Sequence, residues 1–268
     1  MARFKKGIYF LWVLALAGTA AAYDEDFGPY KDGEAVHPFA ATVLEMGRHG
    51  TDGTQTFAAF GVKDDPRGLT VMASGTGSDG TGYQTVLTVE NAKGRKLFTS
   101  LPVKLSNINP TAFAADLNGD GKTDFVLCFS NYSEEDVKSG ESFILLSKRK
   151  GFDGLQVNST WDKNAFVDLK GDGKCELVCQ TEIQDHGGAA QNPLNKFYVL
   201  LFRVLGFQGN ELVPMDPLDA RYPKFVARFY SAERKNHKET QLLTADQKKA
   251  LLGKYPLSVS KLEAKKTK

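Results

Sequence analysis

The stretch FAADLNGDGKTDFVL at residues 113–127 decides the fold, and AFVDLKGDGKCELV at residues 165–178 repeats its pattern. In both, a short apolar run leads into a loop of Asp, Gly and Lys, and a second apolar run follows. We call residues 116–124 the first Asp-Gly loop and residues 168–176 the second. Short apolar runs joined by such turns predict an all-β chain built from a repeated unit.

The first Asp-Gly loop spaces its oxygen atoms as a hard cation requires. Calcium takes about 6–8 oxygen ligands, and a short loop supplies them by turning alternate side chains inward and adding a backbone carbonyl. The predicted ligands are the side chains of Asp116, Asn118, Asp120 and Asp124 and the backbone carbonyl of Lys122. An EF-hand is disfavoured because loop position 12 is Leu127 rather than Glu, and because the flanking runs are short and strand-like.

With Gly121, these residues follow the pattern D-x-[DN]-x-D-G-x-x-D position by position. The pattern resembles that of the FG-GAP/VCBS repeats, the calcium-loop repeats of integrin-α-type β-propellers. The resemblance implies that the loop joins the first two strands of a four-stranded propeller blade and holds Ca²⁺ there. It extends over residues 55–215 and is most specific in the first loop.

The second Asp-Gly loop departs from this pattern. Its corresponding ligands are Asp168, Asp172 and Glu176, with the backbone carbonyl of Lys174. However, Lys170 stands where the first loop has Asn118. An ammonium group there either repels a divalent cation or replaces it and neutralises Asp168 and Asp172. The alternative for both loops is that they are only tight turns, because Asx and Gly residues are common turn formers.

Three copies of the unit align, over residues 57–102, 113–158 and 165–215. Their starts lie 56 and 52 residues apart, close to the period of about 40–50 residues expected for four-stranded blades. Each copy has four apolar runs, so we predict three four-stranded propeller-like blades. In the first copy only Asp64 falls on a ligand position, so this copy is predicted to bind no metal.

Three blades are too few for an ordinary propeller, which closes with about 4–8. Single strands at His37–Glu45, within a lead-in over residues 23–54, and at Tyr222–Tyr230 are available to complete an end blade. The chain is therefore either an open stack with capped ends or one half of a ring completed by a homo-oligomer. The sequence leaves both arrangements open.

Residues 1–22 predict export. Arg3, Lys5 and Lys6 precede an apolar run over residues 7–18, and Ala20–Ala22 supply the small residues of a cleavage site. This is the pattern of a secretory signal peptide cleaved near Ala22, which predicts an extracytoplasmic chain. An uncleaved membrane anchor is the alternative, although the apolar run is shorter than the roughly 20 residues of a spanning helix.

The segment 221–268 is basic, with 13 Lys and Arg against 4 Asp and Glu, whereas residues 23–220 hold 18 against 28. Its basic charge suits an anionic surface such as a membrane, and a solvated tail is the alternative. Thr244 and Gln247 form a capping-box pattern that predicts a short helix through Leu252. Residues 261–268 are predicted to be disordered.

Three cysteines, Cys128, Cys175 and Cys179, are an odd number for an exported chain and lack the spacing of a zinc site. Cys175 and Cys179 would lie about 13 Å apart along a strand, too far for a disulfide, whose Cα atoms lie within about 7 Å. We therefore expect Cys128 and Cys179 to be buried free thiols.

Two classes of function remain. The first is a secreted calcium-binding module for binding or adhesion to a protein or glycan, using the long loops opposite the calcium loops. The second is an extracytoplasmic hydrolase that uses acidic or basic side chains in those same loops: Glu134, Asp136, Asp185 and His186. No Ser-His-Asp signature, nucleotide-binding glycine loop or specific nucleic-acid motif is found. We favour the binding module and make no assignment of catalytic residues.

Overall fold

The computed structural model describes residues 29–30, 38–46, 55–62, 65–76, 83–105, 110–130, 140–159, 165–185, 197–231, 238–240 and 242–265. Within them the chain forms three antiparallel β-sheets, none of them closed on itself, and one α-helix. The predicted all-β class is confirmed. The predicted signal peptide over residues 1–22 lies outside the described residues.

Except for one strand near each end of the described chain, the strands of the three sheets follow one another in sequence. The first sheet contains β2 (Gln55–Gly61), β3 (Thr70–Thr76), β4 (Tyr83–Glu90), β5 (Lys96–Thr99) and β6 (Val103–Leu105). The middle sheet contains β1 (Thr42–Leu44), β7 (Pro110–Ala115), β8 (Asp124–Ser130), β9 (Gly140–Lys148), β10 (Gly151–Val157) and β17 (Val259–Leu262). The third sheet contains β11 (Phe166–Val167), β12 (Glu176–Asp185), β13 (Phe197–Gln208), β14 (Glu211–Pro214), β15 (Ala227–Ser231) and β16 (Lys238–Thr240).

The strands of each predicted repeat pair in sequence order, but the fourth position is more complex than predicted. In the first sheet β5 and β6 both pair with β4, at opposite ends of it. In the third sheet the long strand β13 pairs with β14 near one end and with β15 near the other. The strand predicted at Tyr222–Tyr230 is therefore present as β15, where it shares the fourth position of its sheet with β14.

The middle sheet is buried on both faces. Phe125, Leu127 and Phe143 pack with the first sheet, whereas Val126 and Ile144 pack with the third. Alternate residues of a strand point to opposite faces, so a strand covered on both sides needs an apolar residue at every position. This requirement explains the unbroken apolar run FVLCF at residues 125–129.

The N-terminal segment 38–46, which we call the N-terminal strap, crosses one edge of all three sheets. Pro38 forms a bridge to Val167 of the third sheet, β1 pairs with β7 of the middle sheet, and Met46 forms a bridge to Phe60 of the first. The lead-in strand predicted at His37–Glu45 is thus present as β1, but it extends the middle sheet instead of an end blade.

The C-terminal segment 258–265, the C-terminal strap, crosses the opposite edges of two sheets. Its strand β17 pairs with β10, and Ala264 forms a bridge to Ser100 of the first sheet. The backbone N–H groups of Leu101 and Lys265 add hydrogen bonds across this junction. The prediction of disorder from residue 261 onward is therefore wrong as far as residue 265, because Leu262 is buried in the core between the first and middle sheets.

One helix, α1 (Ala245–Lys254), joins the third sheet to the C-terminal strap. It begins at the predicted capping box, in which the Thr244 hydroxyl accepts from Gln247 N and the Gln247 side chain accepts from Thr244 N. The Arg203 guanidinium donates to the Leu252 carbonyl at 3.2 Å. In the described part of the chain no helix is long and apolar enough to cross a membrane.

The predicted buried thiols are confirmed. Cys128, Cys175 and Cys179 are all buried and form no disulfide, and all three belong to the core between the middle and third sheets. Burial raises the pKa of the Cys175 thiol well above its usual value. The described cysteines therefore act as small apolar core residues.

Replacing Leu262 with Ala tests whether the C-terminal strap belongs to the fold. Because this side chain is buried between two sheets, Leu262→Ala should lower the free energy of unfolding by about 2–4 kcal/mol in urea titrations. The matched control is Leu242→Ala, since Leu242 is 67% exposed. Equal small effects of the two substitutions would show that the strap is not packed.

Candidate functional site

The two Asp-Gly loops lie side by side at the same end of neighbouring sheets. The first joins β7 to β8, and the second joins β11 to β12. Cys175 N donates to the Leu117 carbonyl at 3.0 Å, which links the two loops through their backbones. A Cβ added at Gly119 would lie 3.3 Å from Lys174 Cγ, so the lysine stem covers that glycine.

The first Asp-Gly loop is folded around the Asp116 carboxylate. Its two oxygens accept from Asp120 N at 2.9 Å and from Gly121 N at 2.8 Å. Asn118 Oδ1 also accepts from Asp120 N, at 3.2 Å. Gly119 and Gly121 have φ of +73° and +78°, a region that other residues rarely adopt. The glycines of the motif therefore let the chain wrap around one carboxylate.

Asp120 and Lys122 lie on the exposed side of this loop. One Asp120 oxygen accepts from Lys122 N at 3.0 Å, and the other pairs with the Lys122 ammonium. Such an exposed ion pair contributes little to stability, about 0–1 kcal/mol. The pair leaves the Asp120 carboxylate accessible from solvent.

Asp124, in contrast, is completely buried. Its two oxygens accept from Leu117 N at 3.0 Å and from Ser147 N at 2.7 Å. Burial raises the pKa of this carboxyl to about 7, the charges of Asp120 and Asp116 act in the same direction, and the two backbone hydrogen bonds oppose the shift. No cationic side chain among the described residues forms an ion pair with Asp124.

The second Asp-Gly loop has the same backbone arrangement. Asp168 accepts from Asp172 N and Gly173 N at 3.1 and 3.0 Å, as Asp116 does in the first loop. Glu176 takes the place of Asp124 and accepts from Leu169 N at 2.8 Å. The two loops are therefore structural repeats, as their sequences predicted.

The Lys170 ammonium of the second loop has a different partner from the one that the sequence predicted. Lys170 Nζ lies 2.9 Å from Glu176 Oε1, and the Glu176 side chain is 1% exposed. The ammonium thus pairs with the buried glutamate and not with Asp168 or Asp172, which corrects the prediction that it neutralises those two. The buried carboxylate of the second loop already has a cation of its own.

The corresponding turn of the first sheet carries a pair that the sequence pattern missed. Asp65 is buried, accepts from Arg67 N at 2.8 Å, and pairs with the Arg67 guanidinium through both oxygens, at 3.1 and 2.9 Å. Although burial acts to raise it, hydrogen bonds from Arg67 and Thr123 hold the pKa of Asp65 below its usual value. Asp64, the aligned residue, lies outside the described residues. The only sequence signal for this ion pair was the tripeptide D-P-R at residues 65–67.

All nine predicted ligand residues lie in the two loops: Asp116, Asn118, Asp120, Lys122 and Asp124 in the first, and Asp168, Asp172, Lys174 and Glu176 in the second. Across the described part of the chain, however, no three His, Cys, Asp or Glu side chains are grouped as a metal site. The aspartates instead accept hydrogen bonds from backbone N–H groups, which belong to their own loop except for Ser147 N at Asp124. Metal binding remains a prediction at this point.

The loops predicted to face a partner, on the opposite side from the Asp-Gly loops, fall largely outside the described residues. These include Glu134, Asp136 and His186, while Asp185 is the last residue of β12. The hydrolase alternative therefore stays a prediction. Comparison with protein-family models, curated proteins and solved structures gave no match to this chain.

The uncompensated Asp124 carboxyl should give the protein an unusual pH dependence in buffers that contain a chelator. Its pKa is raised in the folded state, to about 7, so the folded protein binds a proton that the unfolded chain has already released. Stability should therefore increase as the pH falls from 8 to 6, by on the order of 1 kcal/mol. Thermal melts over this range measure the effect.

Asp124→Asn is the control for that experiment, because an amide does not titrate. The melting temperature of this variant should be lower overall and should lose the increase between pH 8 and pH 6. An unchanged increase would assign the effect to another group.

Proposed function

We propose that this chain is an exported, calcium-stabilised binding or adhesion module made of three propeller-like blades of the FG-GAP/VCBS type. Support for the blades comes from the ordered pairing of four strands in β7–β10 and from the stacking of sheets through shared cores. In this proposal the two straps cap an open stack, so a partner chain is not needed to complete a ring.

The observation that carries the calcium proposal is the contrast between Asp124 and Glu176. Both carboxylates are buried at the same position of the repeat and accept from the backbone N–H seven residues earlier. Glu176 is paired with Lys170, whereas Asp124 has no such partner among the described ion pairs. A buried charge is costly unless it is paired or bound to a metal. A cation in the first loop would satisfy that requirement.

The donor set of the first loop fits calcium. Asp116, Asn118, Asp120 and Asp124 supply carboxylate and amide oxygens, and Lys122 supplies a backbone carbonyl, all of them ligands that Ca²⁺ prefers. Each carboxylate oxygen has two lone pairs, so one that accepts an N–H can also bind a metal. The Lys122 ammonium would have to leave Asp120, which costs little because that pair is exposed.

The second loop is assigned no calcium in this proposal, although Asp168, Asp172, Lys174 and Glu176 match the ligand positions. Lys170 occupies the position of Asn118 and supplies the positive charge. Arg221 adds to it, since its electrostatic interactions include Asp172 and Glu176. The two loops would thus balance the same buried carboxylate, one with a metal ion and one with lysine.

Exchanging the residues at this position tests the proposal. Calorimetric calcium titration of the purified chain should show one site, and saturating calcium at about 100 times Kd should stabilise the protein by roughly 2.7 kcal/mol. Asn118→Lys should abolish that site and raise the melting temperature in chelator, because the new ammonium reaches Asp124 as Lys170 reaches Glu176.

The reciprocal substitution, Lys170→Asn, should lower the melting temperature in chelator and create a second calcium site. Asp120→Ala provides the remaining control, because it should abolish calcium binding without stabilising the calcium-free protein. Absence of calcium binding by the unsubstituted chain at millimolar concentrations would reduce both loops to structural turns.

A further inference from the structure

Two hairpin turns lie next to each other on the same side of the molecule as the Asp-Gly loops. One joins β4 to β5 and the other joins β9 to β10. A Cβ added at Gly151 would lie 2.6 Å from the Leu97 carbonyl oxygen, so the backbones of the two hairpins are in contact. Gly151 has φ of +116° and, because it has no Cβ, allows the two backbones to approach this closely.

These two turns carry a concentration of positive charge, which we call the basic ridge. It consists of Lys93, Arg95, Lys96, Arg149 and Lys150, all exposed. None of the five forms an ion pair within the described part of the chain. Glu90 lies opposite Lys96 in the strand register, and Asp153 is already paired with Lys148. Asp65, in the turn whose Arg67 carbonyl accepts from Ala92 N, is paired with Arg67.

The ridge is confined to two sheets, and the first of its two turns is held by side-chain hydrogen bonds. Asn91 Oδ1 accepts from Lys93 N and Arg95 N, both at 3.0 Å, which fixes the first turn. The third sheet's turn, at residues 208–210, carries no charge. Gathering five like charges on neighbouring turns destabilises the free protein through repulsion, and an anionic ligand would relieve that repulsion.

We propose that the basic ridge binds an anionic polysaccharide, one whose sulfate or carboxylate groups recur along the chain. Single-stranded nucleic acid is disfavoured because residues 91–96 and 148–151 contain no aromatic side chain on which bases could stack. A membrane is disfavoured because none of the exposed large hydrophobic residues lies in these turns to enter the bilayer interface.

This inference deepens the proposed function by naming a ligand class, and it rests on the chain being a binding module. It places the ligand on the side of the Asp-Gly loops, in contrast to the sequence-based expectation of the opposite side. It does not require the metal, because none of the five cations belongs to the predicted calcium ligands.

The test is titration of the purified chain with a heparin octasaccharide, in calcium and in chelator, at low and physiological salt. The test variant combines Lys93→Glu, Lys96→Glu and Lys150→Glu. The control variant combines Lys104→Glu, Lys224→Glu and Lys249→Glu, three exposed lysines elsewhere that change the net charge by the same amount. Thermal melts of both variants check that they are folded.

We expect the ridge variant to bind the octasaccharide at least about 10-fold more weakly and with a smaller salt dependence, and the control to change by less than about 2-fold. Equal weakening by both variants would overturn the proposal, because net charge alone would then explain binding. Tighter binding of single-stranded DNA or of phosphatidylserine vesicles through the same residues would also overturn it. Ridge-dependent binding that persists in chelator would uphold the ridge even if calcium titration disproved the metal site.

Discussion

The structure depends on covering both faces of the middle sheet. Its strands carry apolar side chains on each face, with Phe125 and Leu127 toward the first sheet and Val126 and Ile144 toward the third. Burial of apolar surface is the main favourable contribution to folding, and a sheet of this kind has no face to leave in water. The first and third sheets are therefore held in place by the middle one, and the Asp-Gly loops are positioned by the strands that it orders.

Electrostatic balance at one repeated position gives the two loops different properties. A carboxylate at the ninth loop residue orders the loop by accepting a backbone N–H, at Leu117 in one case and Leu169 in the other. Burial then makes the negative charge of this carboxylate costly, and each loop needs a positive charge or a proton to compensate for it. In the second loop the compensating positive charge is a side chain of the protein, Lys170, which forms an ion pair with Glu176. The first loop has the uncharged Asn118 at that position, and no cationic side chain of the described residues forms an ion pair with Asp124.

The sequence was sufficient where local chemistry decides the structure. Asp116 and Gly121 predicted the first loop, the repeated apolar runs predicted the strands of the middle sheet, and Thr244 with Gln247 predicted the start of α1. Contacts between residues far apart in the chain could not be predicted from the sequence. Leu262 lies among basic residues that resemble a solvated tail, and only its pairing with Gly154 reveals a strand. The partner of Lys170 likewise depends on the direction of its side chain, which sequence spacing does not specify.

The straps have a consequence for the order of events during folding. Strand β17 pairs with β10, so the edge of the middle sheet is completed by residues made about a hundred positions later in synthesis. A nascent chain that has released only its three repeats leaves β10 without its last neighbour, and such an edge is prone to pairing with other chains. Contacts so distant in sequence also slow folding. The native structure is therefore a product of the finished chain rather than of its repeats taken one at a time.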